Sequence, residues 1–275
     1  MPTILNCGII QFMANKITLT HRNAHLTISY NLRRGSEDSI VFIHGLGACM
    51  DCFRDVWGFP GYQKYTILTF DLPGYGDSGR PREYSYSMED HAAISKLLIE
   101  ELNLNRIHII GHSMGGAIGL ILAQEITSIV ESFICLEGNL ISEDCSGSRA
   151  AIKYSLEDFQ KEGFEHLKSE ISKSEDALST HNVSQKLFLG CLSKSDPYAF
   201  YKSSESLVKW SDSGKLLQLF LGLDIRKCYV FGETNEYSPV MKLLTSVPKL
   251  RIPNAGHAMM TDNPTRFYRD LLTEL

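Results

Sequence analysis

An α/β architecture, a mostly parallel sheet with helices on both faces, is what this 275-residue sequence predicts. Three observations carry the prediction. Short apolar, β-branched runs recur along the chain and end at Gly, Asp or Glu. Segments with helical spacing separate them, the pattern of strands joined by crossover helices. A content of 43% hydrophobic and 21% charged residues is that of a globular chain, long enough to bury most of its surface without a metal or disulfide staple.

The elements follow in order. Residues 25–32 (HLTISYNL) alternate apolar and polar side chains, as a half-buried strand does. Residues 39–43 (SIVFI) form a second strand, ending at His44-Gly45. Residues 65–70 (YTILTF) end at Asp71, 106–110 (RIHII) at Gly111, 132–136 (SFICL) at Glu137-Gly138, and 227–231 (KCYVF) at Gly232. A short strand is expected over 249–253. Helices are expected over 87–102, with Ser87 opening the pattern and Asp90 three residues on, over 115–126, and over 264–275, where Asn263 is the N-cap and Pro264 the first helical residue. Residues 140–224 break this rhythm with few β-branched runs and many Ser, Lys and Glu, and amphipathic helices are expected at 150–167 and 197–210. The segment reads as a helical insertion, a cap or lid. Residues 1–139 and 225–275 then form the core domain.

Composition excludes several classes. Twenty-seven basic against 32 acidic residues give a net charge of −5, with no clustered Lys and Arg for a nucleic-acid surface. No apolar run is long enough to span a membrane as a helix. The first 15 residues carry no Lys or Arg, unlike the basic start of a secretory signal, and the chain reads as cytoplasmic. Its seven cysteines, most of them single within apolar stretches, read as reduced, packed thiols. Cys49 and Cys52 form one C-x-x-C with no second pair or matching histidines, so no metal site is expected.

Gly111-His112-Ser113-Met114-Gly115 matches G-x-S-x-G between a predicted strand and a predicted helix. In so tight a turn, side chains beside the serine would collide with strand and helix, which glycine avoids. Ser113 is thereby presented beside a helix N-terminus, which favours developing negative charge. A serine nucleophile needs a base. Of the nine histidines, His257 follows a strand near the C-terminus and completes the chain order serine, acid, histidine. His112, inside the elbow, is expected to point away from Ser113. His44-Gly45-Leu46-Gly47 is a glycine-rich loop after an inner strand, and the N–H groups of Leu46 and Met114 are the expected oxyanion donors.

These motifs, with Asp71-Leu72-Pro73-Gly74-Tyr75-Gly76-Asp77-Ser78-Gly79, together resemble the α/β-hydrolase superfamily. The resemblance runs in order over nearly the whole chain apart from the helical insertion. It implies an eight-stranded, mostly parallel sheet, a cap in the insertion and no cofactor. A serine at position 113 argues against haloalkane dehalogenases and epoxide hydrolases, which carry aspartate there. Most of the family places its acid after the strand that follows the cap, in a G-x-x-D pattern. Here that segment is Gly232-Glu233-Thr234-Asn235, with an amide at the acid's position. An amide can orient an imidazole but cannot balance the imidazolium charge. Glu137, at the end of the preceding core strand, is the leading candidate for the acid, and some haloalkane dehalogenases look similar in this respect. Glu233, Glu236 and an Asn235 triad are the alternatives.

The cap is expected to set the substrate. Phe188, Tyr198, Phe200, Tyr201 and Trp210 supply aromatic surface, most of it for the cap's own core, and Asp71 with its glycine loop reads as structural. The expected activity is hydrolysis of a small or medium carboxylic ester or thioester with an apolar part, through an acyl-enzyme. Hydrolysis of C–C bonds in ring-cleavage products, perhydrolysis, and a non-catalytic ligand-binding role are the competing readings. Oligomeric state is left open.

Overall fold

The computed structural model describes residues 14–173 and 181–275. Eight strands form one sheet: β1 (Asn15–His21), β2 (Ala24–Arg33), β3 (Ser39–Ile43), β4 (Thr66–Phe70), β5 (Ile107–His112), β6 (Val130–Leu136), β7 (Arg226–Gly232) and β8 (Lys249–Ile252). Their order is β1-β2-β4-β3-β5-β6-β7-β8. β1 and β2 pair antiparallel, as do β2 and β4, and every other pair is parallel. β1 is an edge strand with exposed polar positions, which explains why its apolar signal does not stand out in the sequence.

The inner strands are apolar at successive positions because both faces are covered. In β3, Val41 and Ile43 belong to one core cluster, while Ile40 and Phe42 belong to the other. β6 repeats this, sending Phe133 and Cys135 one way and Ile134 and Leu136 the other. The first cluster is closed by α1 (Met88–Glu101) and α2 (Met114–Glu125), through Ala92, Leu98, Ala117 and Leu120. The second is closed by the 3-10 helix Met50–Gly58 and by C-terminal helices, through Phe53, Trp57, Phe267 and Tyr268.

Between β6 and β7 the chain is helical. It forms α3 (Ser146–Ala151), α4 (Leu156–Asp158), a π turn (Phe159–Gly163), α5 (Phe164–Lys173), α6 (His181–Ser193), α7 (Pro197–Asp212) and α8 (Lys215–Gly222). The single helix expected over 150–167 is split, because Ser155 is an extended N-cap whose hydroxyl accepts from Asp158 N at 3.1 Å. After β8 come α9 (Met259–Asp262) and α10 (Pro264–Leu271), capped by Asn263 as the sequence predicts. Ser87 likewise caps α1. No helix among the described residues is long and apolar enough to cross a membrane.

One expectation is corrected. Cys49 and Cys191 form a disulfide across 142 residues, joining the loop after β3 to α6. The reading of all cysteines as reduced thiols fails for this pair. The two positions become neighbours only when α6 folds back over the sheet. Cys52, Cys135, Cys145 and Cys228 are free and buried, and Cys7 lies outside the described residues.

Candidate active site

Because β3, β5, β6, β7 and β8 run parallel, the loops leaving their C-terminal ends gather at one edge of the sheet. Ser113 is the single residue between β5 and α2, at φ 53° and ψ −121°. This is a strained conformation for a residue with a side chain. Hydrogen bonds hold it, from Ser113 N to Leu136 O at 3.0 Å and from Gly116 N to Ser113 O at 2.8 Å. The glycines do what the motif requires. A Cβ at Gly111 would lie 2.3 Å from Gly115 O, and one at Gly115 would lie 2.2 Å from Ile43 O. The loop after β3 runs against this residue, since a Cβ at Gly45 would fall 3.0 Å from that of Ser113.

That loop is pinned by buried polar groups. His44 donates from Nδ1 to Gly45 O at 2.8 Å and accepts Leu72 N at Nε2, 3.0 Å away. Burial pushes the His44 ring down to about 4, so it stays neutral. Asp71 accepts Met50 N at Oδ1 and Asp77 N at Oδ2, at 2.8 and 2.9 Å. Gly76 is obligatory beside it, because a Cβ there would meet the Asp71 carboxyl at 2.2 Å.

His257 lies in the loop after β8. Its Nδ1–H donates to Glu137 Oε2 at 2.7 Å, and in the neutral ring this tautomer leaves Nε2 without a proton. Glu137 follows β6 directly, at φ 42°. Its Oε1 accepts Gly232 N at 2.8 Å, and its Oε2 also accepts the amide of Asn235 at 2.7 Å. Glu137 and Asn235 therefore meet at His257. Glu233 and Glu236 do not join them. Glu233 pairs with Arg251 at 2.6 Å and accepts Asn254 N at 2.7 Å, while Glu236 lies 3.4 Å from Arg251.

Burial opposes protonation of His257. The hydrogen bond and charge of Glu137, with the charges of Asp144 and Asp262, outweigh it, and the ring's pKa is raised. The side chain remains 53% accessible, through the cavity it lines.

Two neighbours were not foreseen as parts of the site. His112 turns to His257, its Nε2–H donating to the backbone carbonyl of that residue at 2.9 Å with the rings 4.6 Å apart. Burial holds the His112 ring well below the usual imidazole range, and the nearby His257 pushes the same way. Asn139 accepts the Ser113 hydroxyl at 3.4 Å and donates to Asp144 O at 2.6 Å. Its position two residues after Glu137, in the same turn, was the one signal in the sequence.

Ser113, Glu137, Asn139, Asn235 and His257 all line one cavity of about 710 Å³. Leu46, from the loop after β3, lines it as well. Met114 is buried at the first turn of α2, directly after Ser113. Above them stand Leu167, Ile171, Phe188, Leu192, Phe200 and Leu207 from the helices between β6 and β7. Of the aromatic residues singled out there, only Phe188 and Phe200 face the cavity. Tyr201 bonds Tyr154 O at 3.0 Å, Tyr198 packs against Arg82 and Tyr86, and Trp210 borders a separate surface groove.

A family model described as alpha/beta hydrolase fold matches residues 38–264. Over 105 residues the chain is 34% identical to the Probable lysophospholipase BODYGUARD 4 of Arabidopsis thaliana, which is 38% of this chain and 25% of that protein. The match thus spans about a quarter of that curated relative's length. A thermophilic esterase from Thermogutta terrifontis has a TM-score of 0.76 at 18% identity, covering 94% of this chain and 97% of the esterase. The esterase EaEST from Exiguobacterium antarcticum has a TM-score of 0.71 at 18% identity, covering 90% and 95%. At such identity these two structures share the fold and carry no more than that.

Proposed function

We propose, from the premise that this chain belongs to the alpha/beta hydrolase fold family, that it is a serine hydrolase cleaving a small or medium carboxylic ester or thioester through an acyl-enzyme. The observation that carries this reading is the 2.7 Å hydrogen bond from His257 Nδ1–H to Glu137 Oε2, beside Ser113 in one cavity. Ser113 Oγ attacks the acyl carbon while His257 Nε2 takes its proton. Glu137 balances the imidazolium. The N–H groups of Leu46 and Met114 receive the oxyanion, Met114 with the help of the α2 N-terminus. The leaving alcohol or thiol departs with the proton from His257. Water then gives its proton to the same nitrogen, attacks the acyl carbon and frees Ser113 and the acid.

Residues 140–224 act as the cap. Their apolar side chains supply the wall for an acyl or alkyl arm. No Lys or Arg is among the described residues lining the cavity, and Glu143 and Asp144 are, so the reading favours an ester without negative charge. The name of the curated relative, a probable lysophospholipase, supports the ester bond.

The test is intact-mass analysis after a fluorophosphonate probe. One adduct is expected on the wild type and none on Ser113→Ala. A wild type that takes no adduct overturns the reading and favours a non-catalytic ligand-binding protein on this fold.

A further inference from the structure

At the end of β7 the family resemblance leads to an acid, and this chain has Asn235. Its amide is not idle. Asn235 Nδ2 donates to Glu137 Oε2 at 2.7 Å, to the same oxygen that accepts His257 Nδ1–H at 2.7 Å. The other oxygen, Oε1, is held by the Gly232 backbone N–H at 2.8 Å. A glutamate has one more rotatable bond than an aspartate, and a carboxylate swung about that bond loses its aim at the imidazole. Three donors from three directions remove that freedom. Two come from the β7 end and the third is the base itself.

We infer that Asn235 is the positioning residue for the catalytic acid: its amide anchors the Glu137 carboxylate on His257, so that the position the acid has left now holds the acid that replaced it. This rests on the hydrolase reading above for its catalytic consequence, although the hydrogen-bond arrangement does not. Two features beyond the distances support it. Asn235 lies in a 3-10 turn (Glu233–Asn235) fixed to the sheet, with Thr234 N bonded to Ala255 O at 3.2 Å and Glu233 tied to Arg251, so the amide is presented by ordered backbone. An aspartate here would also set a second carboxylate against Glu137, and like charges at such range resist joint ionisation. An amide offers the same shape with a donor.

The groups that face His257 are Glu137 from the β6 end, Asp144 from the turn after it, Asp262 from α9 and His112 from β5. None of them changes in the single variants below, and only Glu137 changes in the double variant. The experiment follows the His257 Nδ1 proton and ring titration by NMR in wild type, Asn235→Ala and Asn235→Asp. The kcat and KM of each protein on a p-nitrophenyl ester are measured across pH alongside. Asn235→Ala is expected to broaden or shift the Nδ1 proton. It should also lower kcat by about 10- to 100-fold, the usual cost of losing an outer supporting partner, with KM within about two-fold of wild type by the same reasoning, since an orienting group adds no substrate binding. Asn235→Asp exchanges the donor for a second carboxyl that shares a proton with Glu137, and it too is expected to shift the Nδ1 proton and to lower kcat. The swapped double variant Glu137→Gln with Asn235→Asp is expected to recover part of the activity that Glu137→Gln loses, because it returns a carboxylate and an amide to the pair. An Nδ1 resonance and titration unchanged in both single variants would overturn the inference. The NMR readout does not need turnover, so its failure is separable from a wild type that takes no fluorophosphonate.

Discussion

On the floor of the cavity, Ser113, Glu137 and His257 stand at the ends of parallel strands, and backbone hydrogen bonds fix two of them at positive φ. The roof is different. Leu167, Ile171, Phe188, Leu192, Phe200 and Leu207 come from helices that meet the core through side chains, a backbone bond from Asp196 N to Gly74 O at 2.9 Å and, among the described residues, the disulfide Cys49–Cys191. The floor is specified by glycines whose hydrogens alone fit and by buried polar groups such as His44 and Asp71, each with its own donor or acceptor. The roof is specified by apolar bulk, which tolerates exchange among residues of similar volume. Chemistry that depends on tenths of an ångström belongs on the first kind of surface, and selection by size belongs on the second.

The sharpest way to break this contrast is at the floor. Glu137→Gln keeps the shape of the acid and removes its charge. It is expected to lower kcat/KM by about 10³- to 10⁴-fold, as neutralising a triad acid does. Its pH profile adds a sign. In the wild type Glu137 favours the protonated ring, so the neutral base, and with it activity, appears only as pH rises through a raised midpoint. Without that charge burial weighs more heavily, and the acid limb is expected to move to lower pH. Kinetics of p-nitrophenyl ester hydrolysis across pH measure both effects, and an unmoved limb would remove Glu137 from the triad.

A smaller effect is expected at the roof. Phe188→Ala enlarges the apolar wall and removes packing against Ala48, Cys49 and Cys52 of the loop after β3, without altering Ser113, Glu137 or His257. The preference among nitrophenyl esters should shift toward longer chains by about 10-fold, the scale on which an apolar pocket discriminates. Inactivation by the fluorophosphonate should stay within about three-fold of wild type on the same scale. A uniform loss across chain lengths would mean that Phe188 orders the floor instead.

The smallest effect on rate is expected where roof and floor are joined. Cys191→Ser opens a link that closes a loop of 142 residues. It should cost about 2–4 kcal/mol of stability, or about 4–8 °C in Tm, while hydrolysis of a short ester changes little. Differential scanning calorimetry beside initial rates separates the two. A large loss of rate at an unchanged Tm would show that the link positions the loop after β3 rather than stabilising the fold.

The legibility of the two regions in the sequence differs for the same physical reason. β3, β5, β6 and β7 appear as apolar runs because both of their faces are buried, and the elbow appears because only glycine fits beside Ser113. The partly exposed elements are less visible. β1 is half-solvated, α6 lies in Ser- and Lys-rich sequence, and the break before α4 depends on the cap at Ser155. His112 and Asn139 sit within or next to motifs already marked, but a hydrogen bond to a backbone carbonyl or a neighbouring hydroxyl leaves no periodicity to find.

By itself, the sequence determined the α/β class and most of the core strands, which follow from burial on two faces, and the tight turn at Ser113, which follows from local sterics, and it offered His257 as the candidate base from its place in the chain order. Glu137 could be put forward from the need for a charge, but its rivals Glu233 and Glu236 were separated from it only by where their side chains bond. That Asn235 turns its amide to Glu137, that Cys49 reaches Cys191, and that Phe188 and Phe200 face the cavity while Tyr201 does not were decided by the tertiary structure alone. These are contacts between segments far apart in the chain. Distance along the sequence carries no information about direction in space until the sheet has brought the strand ends together.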